Sequence, residues 1–219
     1  MSRLLVFAVI ALGVITSSWG SADTLGAQLR CENSACLVSA GATPQSLVVA
    51  IAILAFLFTY SQREQEPNNQ AIVGVWRRLG AFLLDFTTIM VIAAPIGAMP
   101  TLIAEYYYTD SYQWSFARDF ERPTDMLLIM PVGIGIFMAM FFYFYVHAKR
   151  GIQTLGQYVL GYRVVAANSA EGPSYGMRAL LSFVGLCAWP VSVVLAMKHE
   201  RKAFWWDAAT GSQVVRVGS

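Results

Sequence analysis

Apolar and polar residues alternate along this chain in long blocks, the signature of helices that cross a lipid bilayer. Three long apolar runs stand out, Pro44 to Tyr60, Leu79 to about Ala98, and Met126 to Val146. Each is near the ~20 residues needed to span the hydrocarbon layer, the first being the shortest. A fourth apolar stretch, in RALLSFVGLCAWPVSVVLAMKHERK, carries Pro190 near its middle and basic residues at both ends. A single crossing would put the C-terminal tail on the exported side, against Lys198, Arg201 and Lys202. It therefore reads as two short helices broken at Trp189–Pro190, re-entrant or lying in the interface, with irregular backbone covered by protein or lining water.

The N-terminus has a different pattern. Arg3 precedes an apolar run from Leu4 to Ile15, and Gly20-Ser21-Ala22 offers the small residues a signal peptidase reads. Residues 1–22 thus read as a signal peptide, the alternative being an uncleaved first helix. Residues 23–43 form a short polar exported segment with Cys31 and Cys36, which in an oxidising compartment are expected to form a disulfide. Residues 44–61 make an extra membrane helix ahead of the main domain. Cys187 falls in an apolar run, where a free cysteine behaves as a small hydrophobe.

The basic residues orient these spans. Trp76, Arg77 and Arg78 after the polar linker, and His147, Lys149 and Arg150 after the third run, mark the cytoplasmic side. Residues 100–124 are then an exported loop containing Tyr106, Tyr107, Tyr108, Tyr112 and Trp114. This cluster reads as an interfacial aromatic belt, with ligand or partner binding as the alternative. The methionines Met126, Met130, Met138 and Met140 have no cysteine or histidine beside them within the span, so packing or lipid contact explains them better than a soft-metal path.

One acid contradicts its surroundings. In WRRLGAFLLD, Asp85 lies inside the apolar run, about 10 Å along a helix from Arg78 and nearly two turns on, so that both side chains face the same way. A carboxylate at this depth costs on the order of 2.5–3.5 kcal/mol on insertion scales and marks a working site facing protein or water. On the cytoplasmic side, YRVVAA and GSQVVRV have the β-branched character of short strands that can pair. Asp207 stands near the same face, behind Phe204, Trp205 and Trp206.

Composition agrees with the pattern. Of 219 residues 57% are hydrophobic and 13% charged, about half the charge of a soluble domain, and the net charge of +2 is too small and scattered for a nucleic-acid partner. Two histidines and the lack of HExxH, GxSxG, GxGxxG and P-loop patterns leave no enzyme chemistry to place, and no cofactor or metal is expected.

Residues 75–217 resemble the RDD family of membrane proteins, named for an arginine and two aspartates. The matching positions are Arg78, Ala81 and Asp85, then Gly151, Thr154, Leu155, Gly156, Gly161, Arg163, Val164 and Val165, and finally Asp207, Thr210, Gly211 and Val214. Gln157, Trp206 and Ser212 depart from the pattern, standing where lysine, histidine and threonine are usual.

The resemblance implies a multi-pass protein of the bacterial inner membrane. It also implies transport of small cations or solutes, proton- or sodium-coupled, with Asp85 as binding group and Arg78 and Asp207 controlling its charge. The alternative is an accessory or scaffold subunit in which the triad is a fixed charge network. The expected partners are the lipid bilayer and either further copies of the chain or a larger membrane complex, since three spans without an internal repeat are few for a carrier. The expected fold is an all-α membrane protein: about three spanning helices, a broken or re-entrant pair, and a short cytoplasmic β element.

Overall fold

The computed structural model describes residues 3–18, 26–32, 35–59, 67–68, 73–119, 123–167, 174–199 and 203–217. The chain is mostly helical and separates into two units. One gathers described residues from 1–7, 61–86 and 141–219, the other from 8–60 and 87–140.

In the second unit, helix α1 (Arg3–Ser18, from Ala8 onward) meets helix α2 (Pro44–Thr59) at Gly13, where a Cβ would lie 2.5 Å from Ile53 Cδ1. Glycine here lets the two helices approach closely. The α2 run starts where it does because Pro44 opens it and Thr43 and Ser46 cap each other, with Ser46 N donating to Thr43 Oγ1 at 3.0 Å and Thr43 N to Ser46 Oγ at 2.9 Å. At sixteen residues α2 is shorter than the two helices that have the length and apolarity to cross a membrane.

Those two are α3 (Val75–Thr109) and α4 (Pro123–Lys149), the latter over its part Val132–Lys149. Helix α3 corrects an expectation. Instead of yielding to a loop at Pro100 it runs through Pro95 and Pro100 for 35 residues, ending at Thr109 where Asp110 takes a left-handed conformation (φ 52°). A proline removes one amide donor but need not end a helix whose neighbours hold it. The neighbour is a sheet: Ala98 and Leu102 are buried against Ala40 and Ala42.

That sheet corrects a second expectation. Strands β1 (Gly26–Glu32), β2 (Ala35–Gly41) and β4 (Ser115–Asp119) pair antiparallel in the order β1-β2-β4, so the segments read as polar stretch and loop are ordered β structure. Val38, Ser39, Ala40 and Ala42 are all buried, so this end of β2 is covered on both faces. Cys31 and Cys36 are register partners at the hairpin end, with Cα atoms 4.0 Å apart and their sulfurs joined.

In the first unit, strands β3 (Pro67–Asn68), β5 (Tyr162–Ala166) and β6 (Ser212–Val217) form another antiparallel sheet in the order β3-β6-β5, with Val164 opposite Val214. The YRVVAA and SQVVRV segments therefore do pair. Helices α6 (Tyr175–Cys187) and α7 (Trp189–Lys198) bend by 110° at Ala188, next to Pro190, and counting them as one span would raise the crossing helices from two to three. Short helices α5 (Leu155–Leu160) and α8 (Trp205–Ala209) precede β5 and β6. With two sheets present, the fold is helical but not all-α.

Candidate functional site

The first unit buries charge. Its apolar core of Val75, Val193, Ala196, Phe204 and Trp206 surrounds the end of α3 that carries Arg78, 6% exposed. The Arg78 guanidinium lies 4.5 Å from the Phe204 ring centroid and pairs with the Asp207 carboxylate. A second arginine closes the cluster: Arg178 on α6 donates from Nη2 to Asp207 Oδ1 at 2.9 Å and from Nε to Ser212 Oγ at 3.0 Å.

Asp207 also accepts from Phe204 N at 3.1 Å, so the third residue of α8 reaches back to cap its own helix. Burial pushes the Asp207 carboxyl up, but Arg78 and Arg178 beside it overcome burial and hold it below the ordinary carboxylate range. Around it Thr210 donates to Trp206 O at 2.7 Å, and Gly211 turns the chain into β6 at φ 60°.

Asp85 belongs to a different cluster. One oxygen accepts from Thr154 Oγ1 at 2.6 Å, the other from Gly156 N at 2.8 Å and Tyr143 Oη at 3.0 Å. Tyr143 Oη in turn accepts from Leu155 N at 3.0 Å. The acid on α3 thus sits over the first amides of α5, whose unpaired N–H groups favour an anion.

Contact this close depends on small residues. Gly156 lies against the Ala81 carbonyl, where a Cβ would overlap it, and Ala81 is fully buried. Thr154 caps α5, exchanging bonds with Gln157 in a capping box, and Gly161 ends it in the left-handed region at φ 67°. Arg163 lies on β5 opposite Val215.

The triad expected as one partner set is therefore divided. Arg78 and Asp207 meet directly, while Asp85 is held by Tyr143, Thr154 and Gly156, and control of Asp85 by Asp207 has no direct contact to support it. Arg78 and Asp85 do share one feature, a cavity of about 70 Å³ lined also by Phe82, Tyr162, Arg178 and Ser192. At about 10–15 Å³ of such volume per water, it holds several. Tyr162 faces it with a phenol that burial holds neutral, well above its usual range. Among the described residues no three His, Cys, Asp or Glu side chains group as metal ligands.

The sequence reading missed Arg178 and Tyr143. Arg178 looked like one more basic residue flanking an apolar run, and Tyr143 like one aromatic among many in FFYFY.

A family model for the RDD family matches residues 72–211, nearly two thirds of the chain and every charged residue of both clusters. The chain belongs to the RDD family. No curated protein and no solved structure matches it. It is an integral membrane protein by that membership and by its apolar helices.

Its departures from the RDD pattern fall at positions with definite contacts. Gln157 Oε1 accepts from Thr154 N at 3.3 Å, a bond that a lysine, with no acceptor, cannot make. Trp206 stacks on Phe204 at 4.4 Å and covers Gly185, which leaves it room by lacking a side chain. Ser212 keeps the hydroxyl that a threonine would supply to Arg178.

Proposed function

We propose that this RDD protein binds and moves a small cation or polar solute, proton- or sodium-coupled, at the cavity beside Asp85. The observation that carries this reading is a carboxylate 1% exposed, on a helix long and apolar enough to span, bordering a cavity with room for several waters. Asp85 is the binding group. Its two hydroxyl partners, Tyr143 and Thr154, can give and take protons, and Arg78, Asp207 and Arg178 form the fixed wall.

The protein then sits as a multi-pass protein in a bacterial inner membrane, with the Asp207 and α5 side cytoplasmic, the Cys31–Cys36 disulfide exported, and further copies or a larger complex completing the solute path. No enzymatic step is part of this reading.

The decisive experiment is ion-driven pH change or sodium uptake in vesicles containing the purified chain. Flux that disappears in Asp85→Asn while the variant still inserts and folds supports transport. Absence of flux in the wild type, with the protein co-purifying in a larger complex, sinks it.

An accessory role is the second reading, favoured by one observation. Both Asp85 oxygens and both Asp207 oxygens already have donors, as a latch between α3, α5, α6 and α8 requires.

A further inference from the structure

The wall of the Asp85 cavity, all of it within the first unit, carries two guanidiniums, Arg78 and Arg178. Both pair with the single carboxylate of Asp207, which compensates one of them. Arg178 spends Nε on Ser212 and Nη2 on Asp207, and its Nη1 makes no hydrogen bond among the described residues. Asp85 therefore decides the charge of the cavity. Ionised, it brings the sum over these groups to zero; protonated, it leaves one positive charge uncompensated beside Phe82, Phe144 and Trp206. A buried charge without a counter-charge is costly, so the protonated cavity favours an anion.

The shell around Asp85 suits a proton better than a sodium ion. A carboxylate has about four acceptor positions. Thr154 Oγ1, Gly156 N and Tyr143 Oη fill three of them with donors. The two hydroxyl oxygens in turn accept, Thr154 from Gln157 N at 3.3 Å and Tyr143 from Leu155 N at 3.0 Å. Hard metal cations need about six oxygen lone pairs at once, and here N–H and O–H groups point at the carboxylate instead. One acceptor position is left, on Oδ2, which is room for one proton.

Besides Arg78, Arg178 and Asp207, two titratable groups face Asp85 or its cavity. Tyr143 on α4 stacks 4.3 Å from the ring of His147, whose Nδ1 lies 2.7 Å from Tyr143 O. Tyr162 on β5 is kept neutral by burial.

We infer that this cavity takes a small organic monoanion, a monocarboxylate of roughly three or four carbons, together with a proton on Asp85; this rests on the reading of the cavity as the solute site and narrows the coupling ion to the proton. The carboxylate of the solute meets Arg178 and its carbon chain meets Phe82, Phe144 and Trp206. Its roughly six heavy atoms match the several waters for which the cavity has room. Each ligand relieves the charge the other leaves, so each raises the affinity for the other by the same factor.

The test is calorimetric titration of the detergent-purified full chain with pyruvate, in potassium sulfate, at about pH 5.5 and about pH 8. Saturable binding about tenfold tighter at the lower pH is expected, with proton uptake from solution on binding and no change when sodium replaces potassium. Asp85→Asn holds the uncharged state and is expected to bind tightly at both pH values, while His147→Gln keeps the pH dependence. Thermal unfolding of each variant separates lost binding from lost folding, and proton uptake by the wild type reads the coupling without any variant. No pyruvate binding by the wild type, binding without proton uptake, a pH dependence that disappears in His147→Gln, or a requirement for sodium overturns the inference. Ion flux in vesicles without pyruvate binding sinks the anion and leaves transport standing. Pyruvate bound with a proton but not carried into vesicles sinks transport and leaves the anion site standing.

Discussion

The two units of this RDD protein hold themselves together by opposite means. The first places Arg78, Asp85 and Asp207 in its interior and satisfies them with ion pairs, helix caps and hydroxyls. The second buries Val38, Ala40, Ala98 and Leu102 along sheet and helix and adds a Cys31–Cys36 link.

Charges buried this way add little net stability when intact but are expensive to break, because each removal strands a partner. A unit built so is specific and fragile. A unit built on apolar packing is tolerant.

That contrast can be broken at its strongest point by Asp207→Ala, which leaves two arginines buried without their carboxylate. The expected loss is about 3–5 kcal/mol, seen as melting of the first unit in detergent by hydrogen exchange, with amides of β1 and β2 still protected. Equal loss of protection in both sheets would show that the contrast is false.

Acid should act on the same bond. Because Asp207 has a lowered folded pKa, its contribution is fully present above the ordinary carboxylate value of about 3.9 and is lost as pH falls through the lower folded value. Exchange in β6 is therefore expected to accelerate only in strong acid, and a transition near neutral pH would contradict the assignment.

Next in size is Asp85→Asn, which keeps the shape but exchanges one acceptor oxygen for an NH₂. About 1–3 kcal/mol is expected, read as loosened amides at Leu155 and Gly156 with Asp207 contacts intact. The smallest effect belongs to Cys31→Ser: its loop closes only a few residues, so about 2 kcal/mol at most is expected, confined to the β1–β2 hairpin. Urea titration of the variant beside the wild type with and without reductant measures it.

Much of this architecture can be read from the chain. The apolar run holding Asp85, the β-branched strands ending in Ala166 and Val217, and the break beside Pro190 each carry a local signal. The pairing of acids with donors does not.

Asp85 meets Gly156 across 71 residues and Asp207 meets Arg78 across 129, and no spacing rule reaches that far. Arg78 and Asp85 look like partners because seven residues separate them on one helix. They are instead divided between a guanidinium pair and a helix N-terminus. The β1–β2–β4 sheet was obscured differently: β2 buries Val38, Ser39 and Ala40 in succession, so no alternation of apolar and polar residues marks it, and its third strand lies beyond α3.

The division of the three charges is most directly tested by two double-mutant cycles on unfolding free energy, Arg78→Met with Asp207→Asn, and Arg78→Met with Asp85→Asn. The account predicts coupling of about 0.5–3 kcal/mol in the first cycle and a weaker coupling in the second, where the two side chains share only a cavity. Strong coupling of Arg78 to Asp85, with none to Asp207, would contradict it.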